Sequence, residues 1–109
     1  MDEAFTYIWK YEVRSGRQME FETLYGPKGA WARFFEKSNQ YLGTDLLRDR
    51  GGESDDVGYV TIDRWRSEDA YRAFLREHPE EYAALDREGD RLTTSETCLG
   101  EFVPVASGS

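Results

Sequence analysis

The most constraining feature of this sequence is its hydrophobic period, which switches between about two and about 3.6 residues in a defined order. Residues 5–14 alternate, with Tyr7 and Trp9 on one side and Ile8 and Lys10 on the other. Such alternation in β-favouring residues predicts a strand. From Gln18 onward the apolar residues recur at steps of three, four and seven, which predicts an amphipathic helix.

The motif YGPKGAW, residues 25–31, interrupts that helical pattern. Inside a helix, Gly costs about 1 kcal/mol and Pro about 3 kcal/mol relative to Ala. The motif does not follow a strand and lacks the Lys-Ser/Thr of a phosphate-binding loop, so we interpret it as a break between two helices. We predict that one helix ends near Tyr25, that Pro27 begins the next, and that Tyr25 and Trp31 point into one space.

The rest of the chain repeats this change of period. It predicts strands over 41–49 and 59–65, a helix capped by Ser67, a further helix from Pro79, and a last strand over 94–105. The polar connector between the second and third strands contains Glu53, Asp55 and Asp56. These acidic residues lack the ligand spacing of a calcium loop and predict a solvated hairpin.

The order strand, helix, strand, strand, helix, strand predicts an α+β fold, the ferredoxin-like split βαβ arrangement with a four-stranded antiparallel sheet. We predict one domain over residues 1–104 and a flexible tail over 105–109. Helices then cover only one face of the sheet, while Ile8, Val60 and Ile62 lie on the other. This favours face-to-face packing of two sheets in a homodimer; an ordinary half-solvated face is the alternative.

Composition and charge exclude several classes of protein. The formal net charge of −8 argues against nucleic acid or an anionic membrane as a partner. Cys98 is the only cysteine, which rules out an intramolecular disulfide and paired-Cys metal sites and favours the reducing cytoplasm. The first ten residues predict no signal peptide, and no run approaches the roughly 20 apolar residues of a membrane span.

Three segments carry a resemblance to a known family: YGPKGAW, YLGTDLLRD and DRWRSEDAYRAFLREHPEEYAALD. Together they resemble the antibiotic biosynthesis monooxygenase family, whose members form dimeric α/β barrels. The resemblance implies a homodimer that oxidises polycyclic phenols to quinones with dioxygen and without metal or flavin. Such enzymes use an Asn and a Trp on the third strand and a Tyr on the following helix. Trp65 and Tyr71 match this pattern, whereas Thr61 stands in place of the Asn.

A second branch of that family degrades haem. The positions that correspond to its Asn, Trp and His hold Trp9, Phe74 and Ala84. This departure argues against haem degradation, and we expect no cofactor and no metal.

Two residues are candidates for a catalytic base. Asp63 and Trp65 are two residues apart on the strand and so share the predicted helix side of the sheet. Burial there would raise the pKa of the Asp63 carboxyl. The alternative is a structural role, either an ion pair with Arg64, Arg66 or another basic residue or a cap to the next helix. His78 is the only histidine and could act as a base, or it could simply interact with a helix C-terminus.

Aromatic residues supply the predicted substrate-binding surface. Most of them would more simply form the core of a small domain. The predicted substrate-binding residues are Trp9, Tyr25, Trp31, Phe35, Thr61, Phe74 and Tyr82.

The sequence therefore predicts a cofactor-independent monooxygenase that oxidises a phenolic or polyketide-like aromatic, with Trp65, Tyr71, Asp63 and His78 as catalytic residues. Two alternatives stay open. One is a binding module that holds a small hydrophobic molecule without turnover, and the other is an isomerase, cyclase or decarboxylase that needs a base but no oxygen.

Overall fold

The computed structural model describes residues 3–51 and 55–105, so Glu53 of the connector and residues 106–109 of the predicted tail lie outside the described residues. These described residues form four strands and four helices. In chain order they are β1 (Phe5–Val13), α1 (Gln18–Tyr25), α2 (Ala30–Phe35), β2 (Tyr41–Arg48), β3 (Val57–Trp65), α3 (Glu68–Glu77), α4 (Pro79–Asp90) and β4 (Thr93–Phe102).

The strands form one antiparallel sheet in the order β2-β3-β1-β4. This is the predicted α+β, ferredoxin-like arrangement, which is confirmed. The strand register determines which side chains lie close together, because side chains at paired positions share a face of the sheet. Asp63 pairs with Tyr7, Thr61 with Trp9, and Glu96 with Tyr11.

The helix break at YGPKGAW is present, although the second helix begins later than predicted. Pro27 was expected to start it, but α2 starts at Ala30. The intervening residues form a turn in which the Gly29 N–H donates to the Gly26 carbonyl at 2.9 Å. A Cβ on Gly29 would lie 2.5 Å from the carbonyl oxygen of Thr23. Gly29 therefore lets the turn fold back against the end of α1, and Pro27 belongs to the turn.

The second pair of helices follows the predicted signals. The Ser67 hydroxyl accepts a hydrogen bond from the Ala70 N–H at 3.1 Å and caps α3. Pro79 occupies the first turn of α4, where its missing N–H would have no intrahelical partner. Between the two helices the chain changes direction at His78.

Two aromatic clusters form the core between the sheet and the helices. The first contains Phe5, Tyr7, Phe34, Phe35, Trp65, Tyr71 and Phe74. The second contains Tyr11, Val13, Phe21, Leu24, Tyr25, Tyr59 and Leu92. Trp9 and Trp31 are only partly buried and pack against both clusters, so the space between the clusters lies beside these two rings.

The face of the sheet that carries no helix is partly apolar. Ile8 pairs with Ile62 there, and Leu47, which pairs with Val60, is 53% exposed. Within residues 3–51 and 55–105, no helix has both the length and the apolar character needed to cross a membrane.

Candidate active site

A cavity that opens to solvent lies between the two aromatic clusters. The sheet supplies its floor and all four helices contribute to its walls. Its lining residues are Tyr7, Trp9, Tyr11, Tyr25, Trp31, Phe35, Thr44, Thr61, Asp63, Tyr71, Tyr82, Asp86 and Glu96. None of these thirteen side chains is Lys, Arg or His, so the charged groups of the lining are all carboxylates.

Asp63 provides a buried carboxyl in the floor of the cavity. Its side chain is 7% exposed, and Thr44, on the neighbouring strand β2, donates a hydrogen bond to its Oδ1. The Tyr41 hydroxyl in turn contacts the Thr44 hydroxyl, which extends the chain of hydroxyl groups toward the edge of the sheet. Burial raises the pKa of Asp63 from 3.8 to about 6, and the Thr44 hydrogen bond moderates that rise.

Asp63 and Arg64 form no ion pair, although the Arg64 charge lowers the pKa of Asp63 by less than the Thr44 hydrogen bond does. Arg64 pairs with Asp45 instead, at 2.9 Å between Nη1 and Oδ2. No ion pair within residues 3–51 and 55–105 involves Asp63. A carboxyl that is buried without a basic partner is available for proton transfer.

Three buried polar atoms have no hydrogen-bond partner among the described residues: Trp31 Nε1, Thr61 Oγ1 and Trp65 Nε1. Trp31 and Thr61 line the cavity. The phenols of Tyr25 and Tyr11 lie near them, but neither pair meets hydrogen-bond geometry. An unpaired buried polar group costs about 1–3 kcal/mol. These two groups are therefore ready to bond a polar ligand.

Two tyrosines stand beside Asp63 at the buried end. The rings of Tyr7 and Tyr71 are 4.7 Å apart, and Tyr71 stacks edge-on against Trp65 at 5.5 Å. Burial is the main cause that raises the pKa of Tyr7 well above its usual value, and the Asp63 charge adds to it. Burial also raises the pKa of Tyr71 to about 12. Both phenols therefore stay protonated at neutral pH and serve as hydrogen-bond donors.

The mouth of the cavity is acidic. The carboxylates of Asp86, Asp90 and Glu96 each place an oxygen within 4.8 Å of the others. Burial, followed by the charges of its acidic neighbours, raises the pKa of both Asp86 and Glu96. The cavity thus has one carboxyl at its closed end and several at its open end.

No family model and no curated protein matches the sequence, but solved structures do match the fold. SnoaB from Streptomyces nogalater, a cofactor-independent oxygenase, has a TM-score of 0.73 at 23% identity, with 97% of each chain covered. A Caulobacter crescentus CB15 protein, provisionally named as an antibiotic biosynthesis monooxygenase, has a TM-score of 0.75 at 14% identity, covering 96% of this chain and 92% of its own. The chain has the fold of SnoaB.

A third match shows how widely the chemistry on this fold varies. Hydroxynitrile lyase from Passiflora edulis has a TM-score of 0.70 at 10% identity, with 100% of each chain covered. The fold is therefore shared by proteins named as an oxygenase and as a lyase. The reaction of this chain has to be argued from its own cavity.

Most of the predicted site residues meet at this cavity. Asp63, Tyr71, Trp9, Tyr25, Trp31, Phe35, Thr61 and Tyr82 line it. Trp65 and Phe74 do not line it, since both are buried in the first aromatic cluster behind it. Their predicted roles, like those of the lining residues, stay predictions.

His78 is not among the lining residues either. Its ring lies 4.5 Å from that of Phe74, and its Nδ1 is 3.8 Å from Glu81 Oε1 at the junction of α3 and α4. Of the two predicted bases, only Asp63 reaches the cavity.

Sequence reasoning missed five lining residues as site residues: Tyr7, Tyr11, Thr44, Asp86 and Glu96. For three of these residues, local spacing in the sequence could have predicted a place in the site. Tyr7 and Tyr11 alternate with Trp9 on β1, and Asp86 stands one helical turn after Tyr82. Thr44 and Glu96 required the strand pairing, which no local pattern supplies.

Proposed function

We propose that this protein is a cofactor-independent oxygenase that oxidises a phenolic polycyclic aromatic with dioxygen. The observation that carries the proposal is the unpaired buried carboxyl of Asp63 in the floor of an aromatic cavity. Flat apolar walls suit a fused-ring ligand, and the few polar groups would fix its orientation. The fold shared with SnoaB supports the same reaction class.

Asp63 is the base in this proposal. With a pKa of about 6, its carboxyl is largely ionised at pH 7.5 and a stronger base than an ordinary carboxylate, so it can accept a phenolic proton from a bound substrate. Thr44 holds the carboxyl in place by its hydrogen bond. The product of this step is a bound phenolate and a protonated Asp63.

The phenolate is the only reductant that the reaction needs. It transfers electrons to dioxygen, one oxygen atom bonds to the ring carbon, and loss of water leaves a quinone. For a dihydroxynaphthalene, one dioxygen and one substrate give one hydroxynaphthoquinone and one water. As the O–O bond breaks, the leaving oxygen takes the ring-carbon proton and the phenolic proton that Asp63 returns to it, and departs as water.

Hydrogen-bond donors around the ring hold the anion and the reduced oxygen. The Thr61 hydroxyl, the Trp31 indole N–H and the Tyr71 phenol line the cavity, and the first two have no other described partner. Fixed donors aimed at developing negative charge stabilise a transition state without reorganisation. Trp65 contacts Tyr71 rather than the cavity, so it acts as a positioning residue.

Oxygen consumption with 1,5-dihydroxynaphthalene tests the proposal. We expect one dioxygen consumed per quinone formed, no product under anaerobic conditions, and a loss of at least about 100-fold in Asp63→Asn. Asp45→Asn is the matched control, because Asp45 lies on the neighbouring strand, is exposed and pairs with Arg64. Equal product formation with and without oxygen would refute the oxygenase assignment.

A second candidate is an acid–base reaction without oxygen, such as an isomerisation, cyclisation or lyase reaction. It is favoured by the same Asp63 carboxyl and by the fold shared with a hydroxynitrile lyase. Anaerobic turnover that depends on Asp63 would select it. Saturable binding with no chemical change under air would select the binding module.

We also propose that the helix-free face of the sheet packs against a second copy of the chain. Ile8, Ile62 and Val60 form an apolar patch there, and Leu47 adds an exposed leucine to it. Packing against a second copy would remove this apolar surface from water. Sedimentation should give a dimer mass that Ile62→Asp converts to a monomer mass, whereas a wild-type monomer at 100 μM would contradict this proposal.

A further inference from the structure

The mouth of the cavity carries negative charge that no described basic group compensates. Asp86 and Glu96 line it, and Asp90 places a carboxylate oxygen within 4.8 Å of both. The ion pairs of residues 3–51 and 55–105 include none of the three. Like charges at such short range repel one another, and a bound cation would relieve that repulsion.

Aromatic rings flank the carboxylates. The charges of Asp86 and Glu96 both reach the Tyr82 phenol, whose pKa they raise after the larger effect of burial. The Trp31 ring lies edge-on to Tyr82 at 5.3 Å, and Tyr25 lies 6.0 Å from Trp31. Carboxylates beside aromatic faces are the surroundings that an organic ammonium group prefers.

An independent feature of the same cavity points to an organic ligand rather than a bare ion. Thr61 is 2% exposed and its hydroxyl has no described partner, although it lines the cavity that opens at Asp86 and Glu96. A metal ion at the mouth would leave that deeper hydroxyl unbonded. A molecule long enough to reach from Thr61 to the carboxylates would satisfy both ends.

The charge of the lining also excludes a class of ligand. None of its thirteen residues is Lys, Arg or His, and it contains Asp63, Asp86 and Glu96. A carboxylate or phosphate on the ligand would enter this lining without a counter-charge, at a cost that rises with burial. The ligand is therefore neutral or cationic.

We propose that the cavity takes a fused-ring aromatic bearing a protonated amine, with its ring beside Trp9 and Trp31 and its ammonium group between Asp86 and Glu96. The inference deepens the proposed function and rests on it for the aromatic part of the ligand. The aromatic rings of Tyr82 and Trp31 beside the carboxylates favour an ammonium group over a divalent metal.

Three probes that share one ring separate charge from shape: 6-(aminomethyl)-2-naphthol, 6-methyl-2-naphthol and 6-hydroxy-2-naphthoic acid. Calorimetric titration of the full chain at pH 8 and 50 mM NaCl gives their affinities. We expect the amine to bind about tenfold more tightly than the methyl compound and the acid more weakly than either. Asp86→Asn and Glu96→Gln should each remove most of the amine preference while the affinity for the methyl compound stays within twofold.

Glu88→Gln is the matched control, since Glu88 is an exposed carboxylate on α4 that does not line the cavity. It should keep the amine preference. Any of three results would overturn the inference. These are equal affinities for the three probes, an amine preference that survives both Asp86→Asn and Glu96→Gln, and binding by none of the probes at millimolar concentration. Micromolar binding of Mn²⁺ alone that Asp90→Asn abolishes would overturn it in favour of a metal site.

These outcomes are distinguishable from failure of the oxygenase proposal. Amine preference without oxygen consumption would leave the inference standing and remove the oxygenase. Oxygen-dependent turnover of naphthols with no preference among the probes would do the reverse.

Discussion

Replacing Asp63 by Asn should make the protein more stable and remove its activity. Asp63 is 7% exposed, and burial raises the pKa of its carboxyl from 3.8 to about 6. Each tenfold change in an acid dissociation constant on folding is worth about 1.4 kcal/mol, so the ionised carboxylate destabilises the folded state by about 3 kcal/mol. Asn keeps an oxygen that can accept the Thr44 hydrogen bond and carries no charge.

The sign of the pH dependence follows from proton counts. Below pH 3.8 the carboxyl is protonated in both states, and Asp63 causes no penalty. Between pH 3.8 and about 6 the unfolded chain releases the proton first, so the folded state binds more protons and the free energy of unfolding falls as pH rises. Above about pH 7 the penalty is constant. The Asn variant lacks this term at every pH.

Urea unfolding followed by tryptophan fluorescence measures the effect at several pH values between 4 and 8. We expect Asp63→Asn to be more stable than the wild type by about 2 kcal/mol at pH 7.5, after about 1 kcal/mol for a weaker hydrogen bond. The difference should shrink toward pH 4. Asp86 and Glu96 also have raised pKa values, but both variants retain them, so they cancel in the comparison.

Asp45→Asn provides the control, because Asp45 is exposed and its surface ion pair with Arg64 is worth less than about 1 kcal/mol. Its stability should stay close to that of the wild type at every pH. A difference between Asp63→Asn and the wild type that is negative at pH 7.5, or that is equal at pH 4.5 and pH 7.5, would refute the argument that the Asp63 carboxylate is buried without a basic partner.

Three further variants test separate parts of the structure. A Cβ on Gly89 would lie 2.0 Å from the Tyr25 hydroxyl, so Gly89→Ala should lower the free energy of unfolding by about 1–3 kcal/mol and push the Tyr25 ring into the cavity. A naphthol titration should then show weaker binding. Adding Tyr25→Phe to this variant should restore part of the affinity. Thr61→Val removes an unpartnered hydroxyl, so thermal melts should show equal or greater stability while naphthol binding weakens. Ser67→Ala removes the α3 cap and should cost about 1 kcal/mol in urea unfolding, with oxygen consumption unchanged.

Local patterns predicted the elements well because each has its own signal. The alternation in residues 5–14 defines β1, and the Ser67 hydroxyl and the ring of Pro79 mark the starts of α3 and α4. The glycines of YGPKGAW predicted a break but not its geometry. Whether Pro27 begins α2 depends on how the turn packs against the carbonyl groups of α1. Gly29 closely approaches the Thr23 carbonyl, so Pro27 belongs to the turn and α2 begins at Ala30.

The site was less predictable because it depends on pairing between distant segments. Glu96 meets the cavity only through its register with Tyr11, and β4 contains two register shifts that move its side chains relative to a regular strand. His78, by contrast, was predicted as a site residue but does not line the cavity. Its chemistry made it a candidate base, but the junction of α3 and α4 places it against Phe74 and Glu81 instead.

The polar groups of this cavity are costly, and the cost itself argues for a ligand. The Asp63 carboxylate removes about 3 kcal/mol at neutral pH, and the unpartnered Thr61 hydroxyl and Trp31 indole each remove about 1–3 kcal/mol. A domain of this size has about 5–15 kcal/mol of stability in total. Aliphatic residues at positions 61 and 63 would fill the same face of β3 without that penalty. A ligand that bonds these groups would recover much of the lost free energy, so the arrangement is understandable as a binding site and not as a core.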